Sequence, residues 1–380
     1  MKTVIVKIAT NIFKHMLRFI YFFLKFLPTD NNKILLCSRQ GNYEPLDFVL
    51  IRQKLAEILP GIECVVICRH IGHDIKDYAV YLYALFKSMY HMATCRLCVI
   101  DSYWPAVSLL KHKDNLKVIQ IWHAIGKVKK SGYQTIGMRS GRKSEYSQIL
   151  NMHENYDYVI AGAEMWTPYY CESFNIAEEK ILNFGLPRID YLINTEESNK
   201  EKFREQFPQW AGKQIILYAP TFRRNMKTQW HDIQQSITNN DDVILIIKKH
   251  PGQIKHKASG SDNTISLDSW ETIDLLSVCD YLITDYSAIA LEAMVLRKKT
   301  YYWVYDYEKY IENNGLNIDL FKEFPGCVFN DIYELMKEIK NDINKEGAVS
   351  SNCEKYLPKD LGNATNKIAG LCADILCGKE

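Results

Sequence analysis

Charge of either sign is not in excess in this sequence. It contains 47 lysines and arginines against 45 aspartates and glutamates, a formal net charge of +2. Such a balance is no global signature of nucleic-acid binding, and we expect no nucleic-acid partner. A GxxxxGK(S/T) loop and an HExxH motif are both missing, which argues against a P-loop ATPase and against that class of zinc hydrolase.

A cysteine framework is missing as well. The eleven cysteines are scattered and odd in number, and Cys95–Cys98 is a CxxC motif without a second pair at zinc spacing. Most of them stand in apolar runs, where cysteine behaves as a small buried hydrophobe. We therefore predict structural thiols in a protein of the reducing, cytosolic side.

The apolar N-terminal segment lacks an uncharged run long enough to cross a bilayer. Its longest such run, Phe19–Leu24, is far shorter than the roughly 20 residues that a spanning helix needs. Lys14, Arg18 and Lys25 fall at spacings of four and seven, on one helical face. This pattern predicts that residues 1–28 form an amphipathic, membrane-associating helix whose basic face meets anionic headgroups. A buried first helix of the domain is the alternative.

Apolar, β-branched runs alternate with helix-period segments along the rest of the chain. The predicted strands are Lys33–Ser38, Ile62–Cys68, Arg96–Asp101, Lys117–Trp122, Tyr156–Ala161, Gln214–Tyr218, Val243–Ile247, Thr264–Leu267, Tyr281–Thr284 and Thr300–Trp303. The main predicted helices are Leu46–Leu59, Asp77–Met92, residues 194–207, Glu271–Val278, Ala288–Leu296 and Ile332–Lys345. Near-continuous apolar strands favour parallel sheets covered on both faces. The sequence thus predicts an α/β protein with two doubly wound, Rossmann-like domains, residues 29–209 and 210–380, facing a cleft.

Polar residues follow four of these strands where each strand ends. His123 follows Lys117–Trp122, Thr221 and Arg223 follow Gln214–Tyr218, His250 follows Val243–Ile247, and Asp285 follows Tyr281–Thr284. Ligands of doubly wound sheets bind at the carboxyl ends of the strands. We therefore expect these side chains to line a binding site.

Each cluster has a use toward phosphates. After Asp285 a helix begins, whose free N–H groups, with the Ser287 hydroxyl, favour a phosphate; ordinary helix capping is the alternative. Glu292 stands two turns further on, within reach of a ribose hydroxyl or simply in solvent. Arginine forks suit a pyrophosphate, and the lysines after His123 suit an acceptor phosphate, unless these charges are ordinary surface. These residues are Arg223 and Arg224, and Lys127, Lys129 and Lys130.

The two histidines carry two possible roles. A histidine in a cleft acts as general base toward an alcohol or, when charged, as donor to a phosphate oxygen. His123 and His250 both follow strand ends, one in each predicted domain. The residues themselves do not distinguish the two roles.

Several short motifs together resemble the CDP-glycerol glycerophosphotransferase family of teichoic-acid primases and polymerases. They are Trp122-His123 with Lys129-Lys130-Ser131-Gly132, Gly185-Leu186-Pro187-Arg188-Ile189-Asp190, Tyr218-Ala219-Pro220-Thr221-Phe222-Arg223, Lys249-His250-Pro251 and Thr284-Asp285-Tyr286-Ser287, with Phe324-Pro325-Gly326 as a weaker match. They occur in family order between Trp122 and Gly326.

The resemblance implies a glycosyltransferase-B-like enzyme, peripheral to the cytoplasmic face of the membrane, that transfers a phosphopolyol from a CDP-linked donor and releases CMP. It makes His123 the base and puts His250, Lys249, Arg223 and Ser287 at the donor phosphates in the second domain. It puts Arg188 and Asp190 at the phosphate-bearing acceptor, linked to undecaprenyl diphosphate, in the first.

Departures from the family pattern surround these motifs and leave the donor open between CDP-glycerol and CDP-ribitol. Ala124-Ile125-Gly126 stand where the family often has Gly-Thr-Pro, Ala288 where it has serine, Glu292 where it has aspartate and Asn314 where it has arginine. No cofactor is indicated, and dependence on a divalent metal is left open. The alternatives are a nucleotide-sugar glycosyltransferase of the same architecture and a non-catalytic membrane scaffold.

Overall fold

The computed structural model describes residues 2–72, 74–221, 227–237, 242–248, 263–342 and 353–379. The chain divides into two compact units. The first comprises Met1–Ile125, Lys130–Asp190 and Pro358–Glu380, and the second comprises Gly126–Lys129 and Tyr191–Leu357.

The first unit alternates strands and helices from its N-terminus. Its strands are β1 Asp30–Ser38, β2 Glu63–Cys68, β3 Cys95–Ile100, β4 Lys117–Gln120, β5 Tyr158–Ile160 and β6 Ile181–Leu182. Its helices are α1 Lys2–Leu24, α2 Leu46–Ile58, α3 Ile75–Thr94, α4 Pro105–Leu109, α5 Ser144–Ile149, α6 Thr167–Phe174 and, from the far end of the chain, α14 Ala364–Cys377. All neighbouring strands are parallel, in the order β2-β1-β3-β4-β5-β6.

The second unit repeats the pattern, and α7 Pro187–Gln206 leads into it. Its strands are β7 Gln214–Tyr218, β8 Val243–Ile247, β9 Thr264–Ile265, β10 Tyr281–Thr284, β11 Lys299–Trp303 and β12 Val328–Phe329. Its helices are α8 Lys227–Ser236, α9 Thr272–Val278, α10 Ile289–Val295, α11 Tyr307–Asn313, α12 Leu320–Glu323 and α13 Ile332–Asp342. The strands are again parallel, in the order β12-β11-β10-β7-β8-β9.

The core of the second unit explains why its strands are apolar throughout. Ile216 and Tyr218 of β7 contribute to one buried cluster with Leu335 of α13. Ile215 and Leu217, which point the other way, contribute to a second cluster that includes residues of α9 and α10. Because the sheet is covered on both faces, the alternation of apolar and polar residues disappears. The prediction of two parallel α/β sheets is confirmed.

The structure differs from the predicted elements at the sheet edges and in α7. Strands β6 and β12 have two residues each, too few to produce an apolar run. Helix α7 begins at Pro187, before the predicted start at residue 194, since proline is favoured in the first helical turn. The polar residues 194–200 lie inside this helix, where Lys200 pairs with Glu196 at 2.8 Å and with Glu197 at 2.7 Å.

The two units also have other bounds than the predicted domains. The first unit ends at Asp190 and also includes the C-terminal segment Pro358–Glu380, whereas the predicted division lay between residues 209 and 210. The reason is α14, which contacts α2, β1 and β3 of the first sheet. A helix at the C-terminal end of the chain thus packs on the sheet of the first unit. Its position in the sequence does not predict this packing.

Helix α1 turns two of its basic residues toward the first unit. Lys14 Nζ donates to the Ile149 carbonyl at 2.9 Å and to Asn151 Oδ1 at 2.6 Å, and Arg18 Nε donates to the Leu109 carbonyl at 2.9 Å. The prediction of a side turned to lipid headgroups is therefore wrong for Lys14, whose ammonium is committed to the protein. Arg18 remains exposed despite its contact. None of the described helices is long and apolar enough to cross a membrane.

Candidate active site

Each sheet reverses the direction of its strand order once, between β1 and β3 in the first unit and between β7 and β10 in the second. Such a topological switch point leaves a crevice at the carboxyl ends of the strands, where doubly wound folds bind their ligands. We call these the first and the second switch point.

A buried acidic residue stands at the first switch point. Asp101 directly follows β3 and is 3% exposed. Its Oδ2 accepts from the Ser38 hydroxyl at 2.7 Å and its Oδ1 from the Ser102 hydroxyl at 2.9 Å. Burial raises the pKa of Asp101 to about 6, and the two serine hydrogen bonds only partly oppose this rise. A hydrogen-bonded carboxyl group therefore anchors the crevice.

His123 is oriented by the backbone of the same acidic residue. Its Nδ1 lies 3.0 Å from the carbonyl oxygen of Asp101, and the side-chain amide nitrogen of Gln40 lies 3.1 Å from the same Nδ1. The Gln40 nitrogen donates and suits an unprotonated Nδ1, whereas the Asp101 carbonyl oxygen only accepts and favours the tautomer protonated on Nδ1. In that tautomer Nε2 carries the lone pair, which is the arrangement that a general base requires.

The residue before His123 has an unusual backbone. Trp122 has φ of 57°, a left-handed conformation that bulky residues rarely adopt. Its amide donates to Gln120 Oε1 at 2.8 Å, and its ring lies 4.1 Å from that of His123. Strand β4 ends at Gln120, so His123 follows it after a tight turn. Strain of this kind accumulates at functional sites.

Arg188 is held beside His123 by an ion pair. Its amide and its Nε donate to the Asp47 carboxylate at 2.8 Å each, and its Nη2 contacts the same carboxylate. Its Nη1 lies 3.4 Å from the His123 carbonyl. The Asp47 side chain is 2% exposed and that of Arg188 is 22% exposed. The predicted acceptor residue Arg188 therefore lies in the first crevice, mostly committed to Asp47.

Asp190 makes contacts that stabilise the fold. Its two carboxylate oxygens accept from the amides of Ala364 and Thr365, at 3.1 and 2.6 Å. These amides stand in the first turn of α14, where unsatisfied N–H groups favour an acidic partner. The observed role of this predicted acceptor residue is to attach α14 to the first unit.

The second switch point brings together Thr221 and Asp285. The Thr221 amide donates to Asp285 Oδ1 at 2.9 Å, and the Thr284 hydroxyl donates to the Ala219 carbonyl at 2.7 Å. Lys129 Nζ donates to the Thr221 hydroxyl at 3.1 Å. Three residues predicted from different segments, Thr221, Asp285 and Lys129, thus meet at one crevice.

The other predicted residues of this region are less exposed than expected. Glu292 is 6% and Lys127 is 1% exposed, and burial lowers the pKa of Lys127 well below its ordinary value. Ser287 and Lys130 are half-buried. The Ser287 hydroxyl accepts from the Ile289 amide at 3.4 Å, which is the capping contact considered as its alternative role. Arg223, Arg224, Lys249 and His250 lie outside the described residues.

Sequence reasoning missed Asp101, Gln40 and Asp47. Asp101 ends the apolar run Arg96–Asp101 in the same way that Asp285 follows its own strand, and this signal was available. Gln40 and Asp47 belong to no recognisable motif. They lie near His123 only because β1, which precedes both residues in the chain, pairs with β3 in the sheet. Within the described residues no group of three or more His, Cys, Asp or Glu side chains is placed to hold a metal ion.

Comparison with known proteins decides the family. The model of the CDP-glycerol:poly(glycerophosphate) glycerophosphotransferase family matches residues 19–373. The chain belongs to this family. The resemblance drawn from the motifs and the prediction of a transferase of this class are confirmed.

Curated relatives extend over the full length of the chain. The chain is 28% identical to the teichoic acid ribitol-phosphate primase of Bacillus spizizenii over 99% of both chains. It is 26% identical to the teichoic acid glycerol-phosphate primase of Bacillus subtilis over 97% of this chain and 98% of the other. The poly(ribitol-phosphate) polymerase of B. spizizenii matches at 29% identity, but only 59% of its length is covered.

Solved structures agree on the fold. The wall teichoic acid polymerase TagF superposes with a TM-score of 0.77 at 20% identity, over 100% of this chain and 98% of that one. The UDP-GlcNAc 2-epimerase of Methanocaldococcus jannaschii superposes with a TM-score of 0.59 at 14% identity. At these identities the likeness supports the fold alone, and the predicted glycosyltransferase-B-like class is confirmed.

Proposed function

We propose that this chain transfers glycerol phosphate or ribitol phosphate from its CDP-linked form to a hydroxyl group of a lipid-linked wall-polymer acceptor. The observation that carries this proposal is the match over nearly the whole of both chains to primases of either polyol. The relatives include both primases and polymerases, so the mass of the product decides between addition of a single unit and polymerisation.

The proposed base is His123. With a proton held on Nδ1 toward Asp101, its Nε2 takes the proton of the acceptor hydroxyl, and the oxygen attacks the β-phosphorus of the donor. The new bond joins that oxygen to phosphorus, the bond between phosphorus and the bridging oxygen of the α-phosphate breaks, and CMP leaves. Positioning and charge neutralisation supply most of the rate in such transfers.

The proposed donor site lies at the second switch point. The Thr221 hydroxyl, with Lys129 beside it, stands where a nucleotide diphosphate binds in doubly wound folds, and Asp285 holds the loop through the Thr221 amide. Ser287, Arg223, Arg224, Lys249 and His250 complete the predicted set, with Glu292 toward the ribose. Arginine and charged histidine would neutralise the diphosphate.

A panel of donors tests the reaction class. CDP-glycerol and CDP-ribitol would each be incubated with a diphosphate-linked lipid disaccharide, and CMP release and product mass would be followed. We expect CMP and a product one polyol phosphate heavier. Release of UDP or GDP from a sugar nucleotide, with no turnover of either CDP-polyol, would establish a glycosyltransferase instead. Absence of turnover with all donors would favour a scaffold.

We further propose a peripheral position on the cytoplasmic face of the membrane, with the apolar side of α1 in the lipid. Phe19, Phe22 and Phe23 of α1, with Phe26 just after its end, are 53–74% exposed, and α1 contains no acidic residue. An exposed aromatic face beside the exposed Arg18 and without anions suits an anionic bilayer. Exposed apolar residues of α3, which contacts α1, extend the surface: Ile75, Tyr78 and Tyr83 are 87%, 50% and 69% exposed.

Flotation with anionic vesicles tests this position. Each buried phenylalanine contributes roughly 1.5–3 kcal/mol, so we expect Phe22→Ser combined with Phe26→Ser to abolish flotation. The matched control is Phe321→Ser combined with Tyr333→Ser in the second unit, where the side chains are 40% and 53% exposed. Equal loss of flotation in both double variants, or in neither, would contradict the assignment to α1.

A further inference from the structure

Two arginines lie against tyrosine rings at the first switch point. Arg39 Cζ is 5.8 Å from the ring centre of Tyr81 and 5.9 Å from that of Tyr103. Arg142 Cζ is 4.8 Å from the ring centre of Tyr103. These four residues come from the segment after β1, from α3, from the segment after β3 and from the segment before α5, and we call them the arginine–tyrosine cluster. Cation–π contacts of this kind hold guanidinium groups in place.

The cluster contains hydrogen-bond donors without an acceptor. Arg39 Nε, Arg142 Nη1 and the Tyr81 hydroxyl are buried and make no hydrogen bond, and Tyr81 is only 7% exposed. Buried polar groups in proteins are almost always paired, since an unpaired one costs about 1–3 kcal/mol and more when it is charged. Three such groups in one cluster, two of them cationic, indicate a site for an anion.

The position of the cluster relates it to the reaction. Arg39 directly follows β1, its amide donates to the Ser102 hydroxyl at 3.1 Å, and its Nη1 donates to the Tyr103 carbonyl at 2.8 Å. The next residue, Gln40, contacts His123. The cluster therefore lies at the same crevice as the proposed base, on the side formed by β1 and α3.

We propose that the arginine–tyrosine cluster binds the diphosphate of the lipid-linked acceptor. This inference rests on the proposed function and names the part of the acceptor that the first unit recognises. Two guanidinium groups and a hydroxyl match a diphosphate, because planar N–H pairs engage phosphate oxygens in a bidentate manner. No bond of the diphosphate is broken there, and the group serves only to hold the acceptor.

Helix α3 favours a lipid-borne diphosphate over a soluble one. It carries Tyr81 inside the cluster, while Ile75 and Tyr83 of the same helix are 87% and 69% exposed. One helix thus presents apolar side chains outward and a diphosphate ligand inward. A polyprenyl diphosphate in a membrane has the same order, with its charged group at the surface of the apolar layer.

Three single variants test the cluster. We expect Arg39→Gln and Arg142→Gln each to raise the acceptor KM about ten- to a hundredfold, since one charge-assisted contact is lost. Tyr81→Phe removes only the hydroxyl group, and we expect a rise of about three- to tenfold. The KM for the CDP-polyol and the kcat at saturating acceptor should change less than threefold. The control is Arg52→Gln, whose guanidinium pairs with Glu44 elsewhere in the first unit.

A binding assay separates failure of this inference from failure of the proposed function. Calorimetric titration with inorganic pyrophosphate and with farnesyl diphosphate in detergent needs no turnover. We expect both to bind the wild type, the lipid form more tightly, and Arg39→Gln and Arg142→Gln to lose both while unfolding within a few degrees of the wild type. If the folded variants retain binding and an unchanged acceptor KM, the proposal that the arginine–tyrosine cluster binds the diphosphate is wrong. Tighter binding of pyrophosphate than of farnesyl diphosphate would overturn the assignment to a lipid.

Discussion

The two switch points share their topology but differ in chemistry. The first holds a buried acid, Asp101, and a buried ion pair, Asp47–Arg188, beside His123. Among the described residues, the second is organised around Thr221, whose amide donates to Asp285 and whose hydroxyl accepts from Lys129. The same doubly wound arrangement thus supports two kinds of site.

The difference indicates a division of labour. A crevice that must activate a hydroxyl group benefits from a base whose tautomer and orientation are set by buried polar partners. A crevice that receives a nucleotide diphosphate needs hydroxyl and N–H donors that already point at the phosphates. The predictions that follow test whether the first crevice is the charged and reactive one, in order of decreasing effect.

The largest effect is expected at His123. His123→Ala removes the proposed base, and we expect kcat for CMP release to fall about 10²- to 10⁴-fold, as is usual for general acid–base catalysis. The control is His231→Ala on the exposed side of α8, which should retain wild-type rates. A His123→Ala variant within tenfold of the wild type would remove the catalytic distinction between the two crevices.

The next effect concerns stability. Asp47→Ala leaves the Arg188 guanidinium largely buried without its carboxylate, which costs about 3–5 kcal/mol in comparable buried pairs. The more exposed pair Arg52–Glu44, with side chains 41% and 23% exposed, gives the control Glu44→Ala, for which we expect less than about 1 kcal/mol. Urea unfolding followed by circular dichroism measures both. Equal losses would show that the buried pair contributes nothing special.

A pH effect on stability is expected at Asp101 of the first crevice. Burial raises the pKa of Asp101 from its ordinary value of 3.8 to about 6 in the folded protein, so the folded state holds the proton more tightly. Its contribution to stability is complete below about pH 4 and is lost as the pH rises through about 6. We expect the stability of Asp101→Asn relative to the wild type to rise by about 2 kcal/mol between pH 4.5 and 7.5. A stability difference between the two proteins that does not change with pH would contradict the raised pKa of Asp101.

The smallest effect is expected at the second crevice. Asp285→Ala removes the acceptor of the Thr221 amide, and we expect the KM for the CDP-polyol to rise roughly tenfold, the equivalent of one hydrogen bond of 1–1.5 kcal/mol. Asp285→Asn keeps an oxygen for that amide and should restore most of the affinity. If Asn behaves like Ala, the carboxylate has a role other than accepting from Thr221.

Much of the fold was predictable because strands carry their signal locally. Gln214–Tyr218, Val243–Ile247 and Tyr281–Thr284 were predicted with the bounds that the structure has, since parallel strands buried on both faces are continuous apolar runs. The two-residue strands β6 and β12 were missed, as was the return of α14 to the first unit. Those features depend on neighbours that are distant in the sequence.

The site divides in the same way. His123, Thr221 and Asp285 were predicted from their places after strands, and their motifs identified the family. The prediction failed at Lys14, whose helical spacing predicted a lipid-facing side, whereas its ammonium donates to the Ile149 carbonyl of the first unit. A helical period shows which residues share a face but not what that face meets.

By itself the sequence determined the α/β class, the strands, the family and the residues that stand at strand ends, because each of these is encoded within a few consecutive residues. Only the tertiary structure decided that Asp101 is buried against His123 and that Arg39, Tyr81 and Arg142 share one cluster. These contacts depend on the strand order, which places β3 between β1 and β4. The order is set by the packing of whole layers, and no local segment records it.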